Sequence, residues 1–369
     1  MRYVRYKSKQ DKSKQDKSKQ DKSKQDKSKQ DKSKQDKSKQ DKSKQDKSKI
    51  TQREEEEVED MICNTILDAM GNTPLIRLNH MGDPNGARIL VKFEGLNVGG
   101  SIKTRTAFNM ILEAEKAGII GPDSIIVEPT SGNQGIGLAL VGAVRGYRTI
   151  IVMPDSVSEE RRKLVKHYGA EVKLVHDAGN IGACIKECVH TAEKMAAEDP
   201  HVFIPQQFEN PNNTSTHLKY TGQEILKAMD GPVDGFCSGI GTGGTLTGIG
   251  HVLKEANPAI EIWAVEPKNA AILAGGTIGT HLQMGIGDGL IPGILDQDIF
   301  NHIYIVSDED AIRTAQDLAK KEGIMCGISS GTNVRAAIEL AKFLGKGKTV
   351  VTVLPDTAER YFSTQLFEE

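Results

Sequence analysis

From Arg88 onward, short apolar runs alternate with segments of helical periodicity, and that alternation restricts the chain to an α/β architecture. The runs are Ile89–Phe93, Ile125–Glu128, Thr149–Met153, Glu171–Val175, Val202–Ile204, Gly235–Ser238, Ile262–Glu266, Ile303–Val306 and Val350–Leu354. Alternation of this kind predicts mainly parallel sheets joined by right-handed crossovers. Nine strands exceed what one small sheet needs. Pro, Gln and Asn cluster from Pro205 to Asn213, so the break between two halves is placed there. The expected organisation is a tail over 1–52, an N-terminal α/β half over 53–205 and a C-terminal α/β half over 206–369.

The start of the chain can join neither half. Residues 7–46 are eight perfect copies of Lys-Ser-Lys-Gln-Asp. A five-residue period matches neither helix nor strand, and the unit has no apolar residue to bury, so disorder is expected. The repeat reads either as a basic tether to RNA or acidic lipid, or as a tandem expansion with no catalytic role; the second reading is preferred. Neither a signal peptide nor a transit peptide is expected from its pattern. Residues 1–50 carry 20 Lys/Arg against 8 Asp, a net +12. The whole chain carries −2, which leaves −14 on the remainder. A folded part so acidic is not expected to bind nucleic acid. Glu54 to Glu57 form an acidic run that either offsets the tail or opens a solvated helix.

No run of 18 apolar residues occurs, so no membrane span is expected. Five cysteines, at 63, 184, 188, 237 and 326, are odd in number and lack Cys-x-x-Cys spacing. Cys184 and Cys188 share a helix face, but two thiols are a weak case for a metal, and none is expected. Five reduced thiols in a cytoplasmic protein are the simpler reading.

The chemistry concentrates between Gly99 and Gly135. Lys103 stands at the start of a helical pattern, with Ser101 as a plausible N-cap and Ile102, Ala107, Met110, Ile111 and Ala114 at helical spacing. The positive end of a helix disfavours a lysine. The same field, with desolvation, lowers its pKa and makes the amine a nucleophile. Alone, Lys103 would pass as a surface residue of an amphipathic helix. A second loop argues against that: Thr130-Ser131-Gly132-Asn133-Gln134-Gly135 follows a strand and opens a Gly-rich helix, where N–H groups and hydroxyls can converge on a carboxylate. By itself this loop would also pass as a Ser/Gly turn.

With Gly71-Asn72-Thr73-Pro74-Leu75, these motifs resemble the cysteine synthase (O-acetylserine sulfhydrylase) and cystathionine β-synthase family, from about Ile62 to the C-terminus. The resemblance implies a fold-type II pyridoxal phosphate enzyme, with two three-layer α/β/α halves and the cofactor in the cleft between them. It also implies that the N-terminal part of the chain contributes to the second half, and that the protein is a homodimer. Lys103 would hold the cofactor covalently and, once freed by substrate, remove the α-proton. Asn133 would hydrogen-bond the ring's 3′-oxygen. Thr130, Ser131, Gly132 and Gln134 would face the substrate. Gln207, in Gln206-Gln207-Phe208, would help hold the substrate carboxylate; otherwise it is an ordinary polar loop residue.

Gly239-Ile240-Gly241-Thr242-Gly243-Gly244-Thr245 follows one strand and precedes a helix, and so matches Gly-x-Gly-x-x-Gly. Glu266, at the end of the next strand, stands where a dinucleotide fold places its ribose-binding acid. A nucleotide-dependent oxidoreductase is therefore an alternative at this level. Against it, Thr242 and Thr245 suit a phosphate monoester, Lys103 has no role in hydride transfer, and Gly-Thr-Gly-Gly-Thr matches the phosphate cradle of the resembled family through Gly241, Thr242, Gly243, Gly244 and Thr245. Cys326-Gly327-Ile328-Ser329-Ser330-Gly331 reads as a helix N-cap. By resemblance, Ser329 faces the pyridine nitrogen.

Three departures from the family pattern stand out. Gln134 replaces the usual Thr, Thr104 the usual Asp after the lysine, and Asp288 a small apolar residue. The implied reaction is β-replacement on small L-amino acids, O-acetyl-L-serine and sulfide giving L-cysteine and acetate. The runner-up uses Asp288 as a base on water, turning L-cysteine into L-serine and hydrogen sulfide. Alternatively, Asp288-Gly289 is only a favoured turn. A catalytically silent binding module is a third class, disfavoured by retention of Lys103, Asn133, the phosphate loop and Ser329.

Overall fold

A computed structural model describes residues 62–179 and 181–368. The Lys-Ser-Lys-Gln-Asp repeat, the expected disorder of the tail and the acidic run at Glu54 lie outside the described residues. Among the described residues, ten strands form two sheets. They are β1 Leu75–Arg77, β2 Arg88–Phe93, β3 Ile125–Pro129, β4 Arg148–Pro154, β5 Glu171–Val175, β6 Val202–Phe203, β7 Gly235–Gly239, β8 Glu261–Pro267, β9 His302–Val306 and β10 Thr349–Leu354. One sheet has the order β5-β4-β3-β6; the other has the order β1-β2-β10-β7-β8-β9. Every neighbouring pair is parallel except β1 with β2.

The helices are α1 Lys103–Lys116, α2 Asn133–Arg145, α3 Glu159–His167, α4 Ile181–Glu198, α5 Pro211–Thr216, α6 Gly222–Ala228, α7 Gly244–Ala256, α8 Asp308–Asp317 and α9 Ile328–Leu344. A π-helical turn, His217–Thr221, joins α5 to α6. The inner strands of both sheets are buried on two faces, which is why they read as apolar runs rather than alternating ones. In β3 and β4, Ile126, Ile151 and Met153 pack with α1 and α2, while Val127, Ile150 and Val152 pack with Cys184, Cys188 and Ala192 of α4. In the larger sheet, Ile89, Val91, Cys237, Val265 and Val350 face α8 and α9, while Leu90, Phe236, Ile262, Ala264 and Val351 face α6 and α7. This gives two α/β/α sandwiches.

The sequence pattern predicts nine of these strands to within a residue or two at each end. It misses β1, three residues directly after Pro74 with no periodicity of their own. The larger sheet takes β1 and β2 from the N-terminal part of the chain and its other strands from beyond Pro232. Ser101 does not cap α1. Ile102 occupies the cap position in helical conformation, and no side chain bonds the free N–H groups there. Ser101 is instead extended and pairs with Asp356 in an isolated bridge.

Helix α1 is fixed by charge as well as by packing. Arg105 is buried between two carboxylates: its Nε donates to Glu94 Oε2 at 2.7 Å and its Nη1 to Glu224 Oε1 at 2.7 Å. Lys92 adds a second cation, donating from Nζ to Glu224 Oε2 and to the Thr73 carbonyl, both at 2.6 Å. Thr73 Oγ1 donates to Glu94 Oε1 at 2.6 Å, which draws the Asn72-Thr73-Pro74 loop into the same network. Two cations balance two anions here, so no net charge is buried. Close approach of α1 and α2 depends on Gly137, where a Cβ would lie 3.0 Å from the Lys103 carbonyl.

Two outcomes follow. Arg105→Met leaves a buried carboxylate uncompensated and should destabilise the fold by about 3–5 kcal/mol in denaturant unfolding. For Glu224, burial favours the protonated form, but Arg105 and Lys92 outweigh it and bring its pKa down to about 2. A folded pKa below the unfolded one stabilises at pH above about 4.5 and is lost as pH falls toward 2. Unfolding of Glu224→Gln should therefore lose part of its pH dependence in that window; an unchanged acid profile would contradict the pairing.

Candidate active site

The carboxyl ends of β3, β7 and β10 face a common cleft, the expected position for a ligand site in parallel α/β sheets. The cleft opens to solvent, and with its mouth included it spans about 930 Å³ of empty space. It is lined by Lys103, Thr130, Ser131, Gly132, Asn133, Gln134, Gln207, Gly241, Thr242, Gly243, Thr245, Asp288 and Ser329. Of the site residues that the resemblance implies, only Gly244 does not line it. That glycine begins α7 and packs against the Asn213 side chain.

Lys103 opens α1 beside the phosphate-type loop, with Nζ 3.5 Å from Thr242 Oγ1. Burial in the cleft wall lowers its pKa to about 8, although Asp288 and Glu128 each pull it back up. Asp288 faces the same space, and burial raises its carboxyl, with Lys103 and His281 opposing. The two groups thus form a cation and an acid, each perturbed chiefly by desolvation.

The Gly239–Thr245 loop runs from β7 to α7, whose cap residue Gly243 is left-handed at φ 81°. At Gly241 a Cβ would lie 2.5 Å from the Gly285 carbonyl and 3.5 Å from Asp288 Oδ2, so the Asp288 loop closes over the bare backbone. Thr242 Oγ1 accepts from Asn213 Nδ2 at 3.0 Å, which leaves its own hydrogen to donate toward the cleft. Thr245 Oγ1 lies 3.4 Å from His217 Nε2. His217 is buried in the π-helical turn, and burial, with Lys103 and Arg105, holds its pKa well below the usual value. It is therefore neutral.

Asn133 opens α2 after Gly132. Gln134 Oε1 accepts from Thr106 Oγ1 at 2.7 Å, while its buried Nε2 has no partner among the described residues. The Thr104 hydroxyl, at the second departure from the family pattern, is also buried without a partner among the described residues. Ser329 is the second residue of α9 and does not cap it; Gly327 holds the cap position, with no side-chain bond. Its hydroxyl makes no hydrogen bond among the described residues and borders the cleft.

Glu266 does not serve as a ribose-binding acid. It is buried and accepts from the backbone N–H groups of Leu273 and Ala274 at 3.0 and 3.1 Å. No cluster able to hold a metal occurs among the described residues, and none of their helices is long and apolar enough to cross a membrane. The cysteines, all free, are buried apart from Cys63.

Two residues at or beside the cleft, Glu128 and Arg161, escape the sequence reading. Glu128, at the end of β3, is buried and accepts from the N–H groups of Gln206 and Gln207 at 3.0 and 3.1 Å. Burial raises it to about 7, with those N–H groups and Lys103 opposing. It holds Gln206 at the unusual φ of 56° and so turns Gln207 into the cleft. A carboxylate in an otherwise apolar strand is the signal that marks it. Arg161 of α3 is 4% exposed, donates from Nη1 to Met284 Sδ at 3.1 Å and lies 5.1 Å over the Tyr361 ring. Nothing in its sequence neighbourhood distinguishes it from Arg162.

The family model of pyridoxal-phosphate dependent enzymes matches residues 66–356. A cysteine synthase of Staphylococcus aureus is 47% identical over 305 residues, 82% of this chain and 97% of that protein. The crystal structure of a hydrogen sulfide-producing enzyme from Fusobacterium nucleatum aligns with a TM-score of 0.77 at 42% identity, over 81% of this chain and 100% of that one. That of a cysteine synthase from Entamoeba histolytica aligns with a TM-score of 0.79 at 39% identity, over 84% and 91%. The chain belongs to the pyridoxal-phosphate dependent enzyme family. Within it, this is a cysteine synthase-like enzyme with pyridoxal phosphate as its cofactor, and the dinucleotide alternative is set aside.

The residues present fit that cofactor. A helix N-terminus with two threonine hydroxyls could receive a phosphate at one end, and a lysine amine of lowered pKa stands within reach of the same loop. Cofactor-free protein should take up pyridoxal phosphate at a rate that rises with pH and levels near 8, as the Lys103 amine loses its proton. Asp288 favours the protonated amine, so Asp288→Asn should move that break to lower pH. A break near 10.5 in both proteins would contradict the account.

Proposed function

We propose that this cleft carries out β-replacement on a small L-amino acid, with O-acetyl-L-serine and sulfide giving L-cysteine and acetate. The observation that carries the reading is the convergence of Lys103, the Thr130–Gln134 loop, the Gly241–Thr245 loop and Ser329 on one cleft. Pyridoxal phosphate, when bound, supplies the electron sink that acidifies the substrate's α-carbon. Lys103 Nζ would hold the cofactor covalently and, once released, take the α-proton. Gly241, Thr242, Gly243, Gly244 and Thr245 would hold the phosphate, Asn133 the ring oxygen, and Ser329 the ring nitrogen. Thr130, Ser131, Gly132, Gln134 and Gln207 would orient the substrate, its carboxylate lying at the N-terminus of α2.

In this reading the N-terminal half, 53–205, brings Lys103 and the substrate loop, and the C-terminal half, 206–369, brings the phosphate loop. A cytoplasmic homodimer accords with the free thiols and with the family resemblance.

A second reading is favoured by Asp288 alone. Its carboxyl shares the cleft with Lys103 and is raised by burial toward the range of a general base. From there it would take a proton from water as the oxygen adds to Cβ, so that L-cysteine and water give L-serine and hydrogen sulfide. A carboxylate at this place would also repel hydrosulfide. The similar Fusobacterium nucleatum enzyme is a hydrogen sulfide producer.

Two variants test these readings. Lys103→Ala should abolish turnover of O-acetyl-L-serine with sulfide; retained turnover would refute the assignment. Asp288→Asn, assayed with L-cysteine, should lose serine formation while cysteine synthesis from sulfide is kept or improved. Wild-type serine yield in that variant would eliminate the second reading.

A further inference from the structure

The segment after β10 touches three of the elements that line the cleft. The Pro355 carbonyl accepts from Ile102 N at 2.8 Å, directly before Lys103. The Asp356 carbonyl accepts from Gly327 N at 3.3 Å, at the start of α9, and Thr357 bridges Cys326. The third contact is made by side chains on Asn133. Arg360 Nη1 donates to Asn133 Oδ1 at 2.7 Å, and Asn133 Nδ2 donates to Asp356 Oδ2 at 2.6 Å. Arg360 and Asp356 are 6% and 0% exposed. Each is itself pinned: Arg360 Nη2 donates to the Gly99 carbonyl at 2.8 Å, and Tyr361 Oη donates to Asp356 Oδ2 at 2.6 Å.

A carboxamide has one accepting oxygen and one nitrogen carrying two N–H groups. Here a cation faces the oxygen and an anion faces the nitrogen. Turning the amide over would set oxygen against carboxylate and N–H against guanidinium, both repulsive in a desolvated place. The charges therefore select one orientation, and Asp356 uses only one of the two N–H groups.

We propose that Arg360 and Asp356 are positioning residues that fix the Asn133 carboxamide so that its second N–H is presented to the cofactor. The C-terminal segment thereby completes the site. The inference rests on the proposed role of Asn133 toward pyridoxal phosphate and extends it to residues more than two hundred positions away in the chain. Acting through Asn133 has a specific consequence. Losing Arg360 should matter only while Asn133 is present, whereas a general structural role for Arg360 would act whether or not it is.

The test is a double-mutant cycle on holoenzyme. Arg360→Met, Asn133→Ala and the double variant are compared by the dissociation constant for pyridoxal phosphate and by the position of the bound cofactor's absorbance band. Arg360→Met and Asn133→Ala should each weaken binding by roughly tenfold, as for a lost hydrogen bond to a charged or buried group, and shift the band alike. The double variant should be no worse than Asn133→Ala. Multiplying losses in the double variant would overturn the proposal and leave the role of Asn133 standing. An Asn133→Ala protein with unchanged affinity and band would overturn both. If Arg360→Met does not fold, Asp356→Asn serves in the same cycle. It keeps an accepting oxygen and removes the charge, so its band shift should be smaller and should vanish in the Asn133→Ala background; a shift that persists there counts against the proposal.

Discussion

Arg105 stands one helical half-turn past Lys103, and its guanidinium is closed between the carboxylates of Glu94 and Glu224. A charge so deeply desolvated tolerates little movement, because any displacement exposes one ion of the set to an apolar surround. Helix α1 is thereby locked in rotation at its first turn, and the direction of the Lys103 side chain is locked with it. The same network gathers the Asn72-Thr73-Pro74 loop through Thr73 and the π-helical region through Glu224, which lies on the helix that follows His217. The resembled motif at Gly71–Leu75 thus has a physical role without touching the cleft.

The cleft itself is organised by the ends of helices. The first turns of α2, α7 and α9 all border it, through Asn133, Thr245 and Ser329. Three positive helix ends suit a phosphate and a carboxylate. The counter-charges are Asp288 and Glu128, both raised by burial, and both favour the protonated form of Lys103. Lys103 sits between these opposing influences, and its pKa near 8 puts proton loss close to physiological pH. His217, held neutral beneath the phosphate-type loop, adds no charge of its own.

How much of this was legible in the chain depends on how local the cause is. Buried strands show themselves because both faces are apolar, and Ile126 beside Val127 is enough to mark β3 as covered on two sides. Two of the lining loops, Thr130–Gly135 and Gly239–Thr245, show themselves because glycine, serine and threonine gather directly after strands. Strand β1 did not, since it depends on pairing with β2 rather than on its own pattern. The reading of Ser101 as a cap failed because a long-range bridge to Asp356 took that residue into extended conformation. Arg161, Asp356 and Arg360 act through partners remote in sequence, and a single chain gives no sign of such pairings; Glu128 shows itself only as a carboxylate in an apolar strand. Glu266 shows the opposite case: local spacing mimics a nucleotide fold, and only its bonds to Leu273 and Ala274 reveal a structural carboxylate.

The central claim is that Lys103 is the residue that holds pyridoxal phosphate. Borohydride reduction of the purified enzyme, followed by proteolysis and mass mapping, tests it most directly. The account predicts a single pyridoxyl-modified peptide, with the added mass on Lys103. Modification of another lysine, or a protein that carries no reducible cofactor, would contradict it.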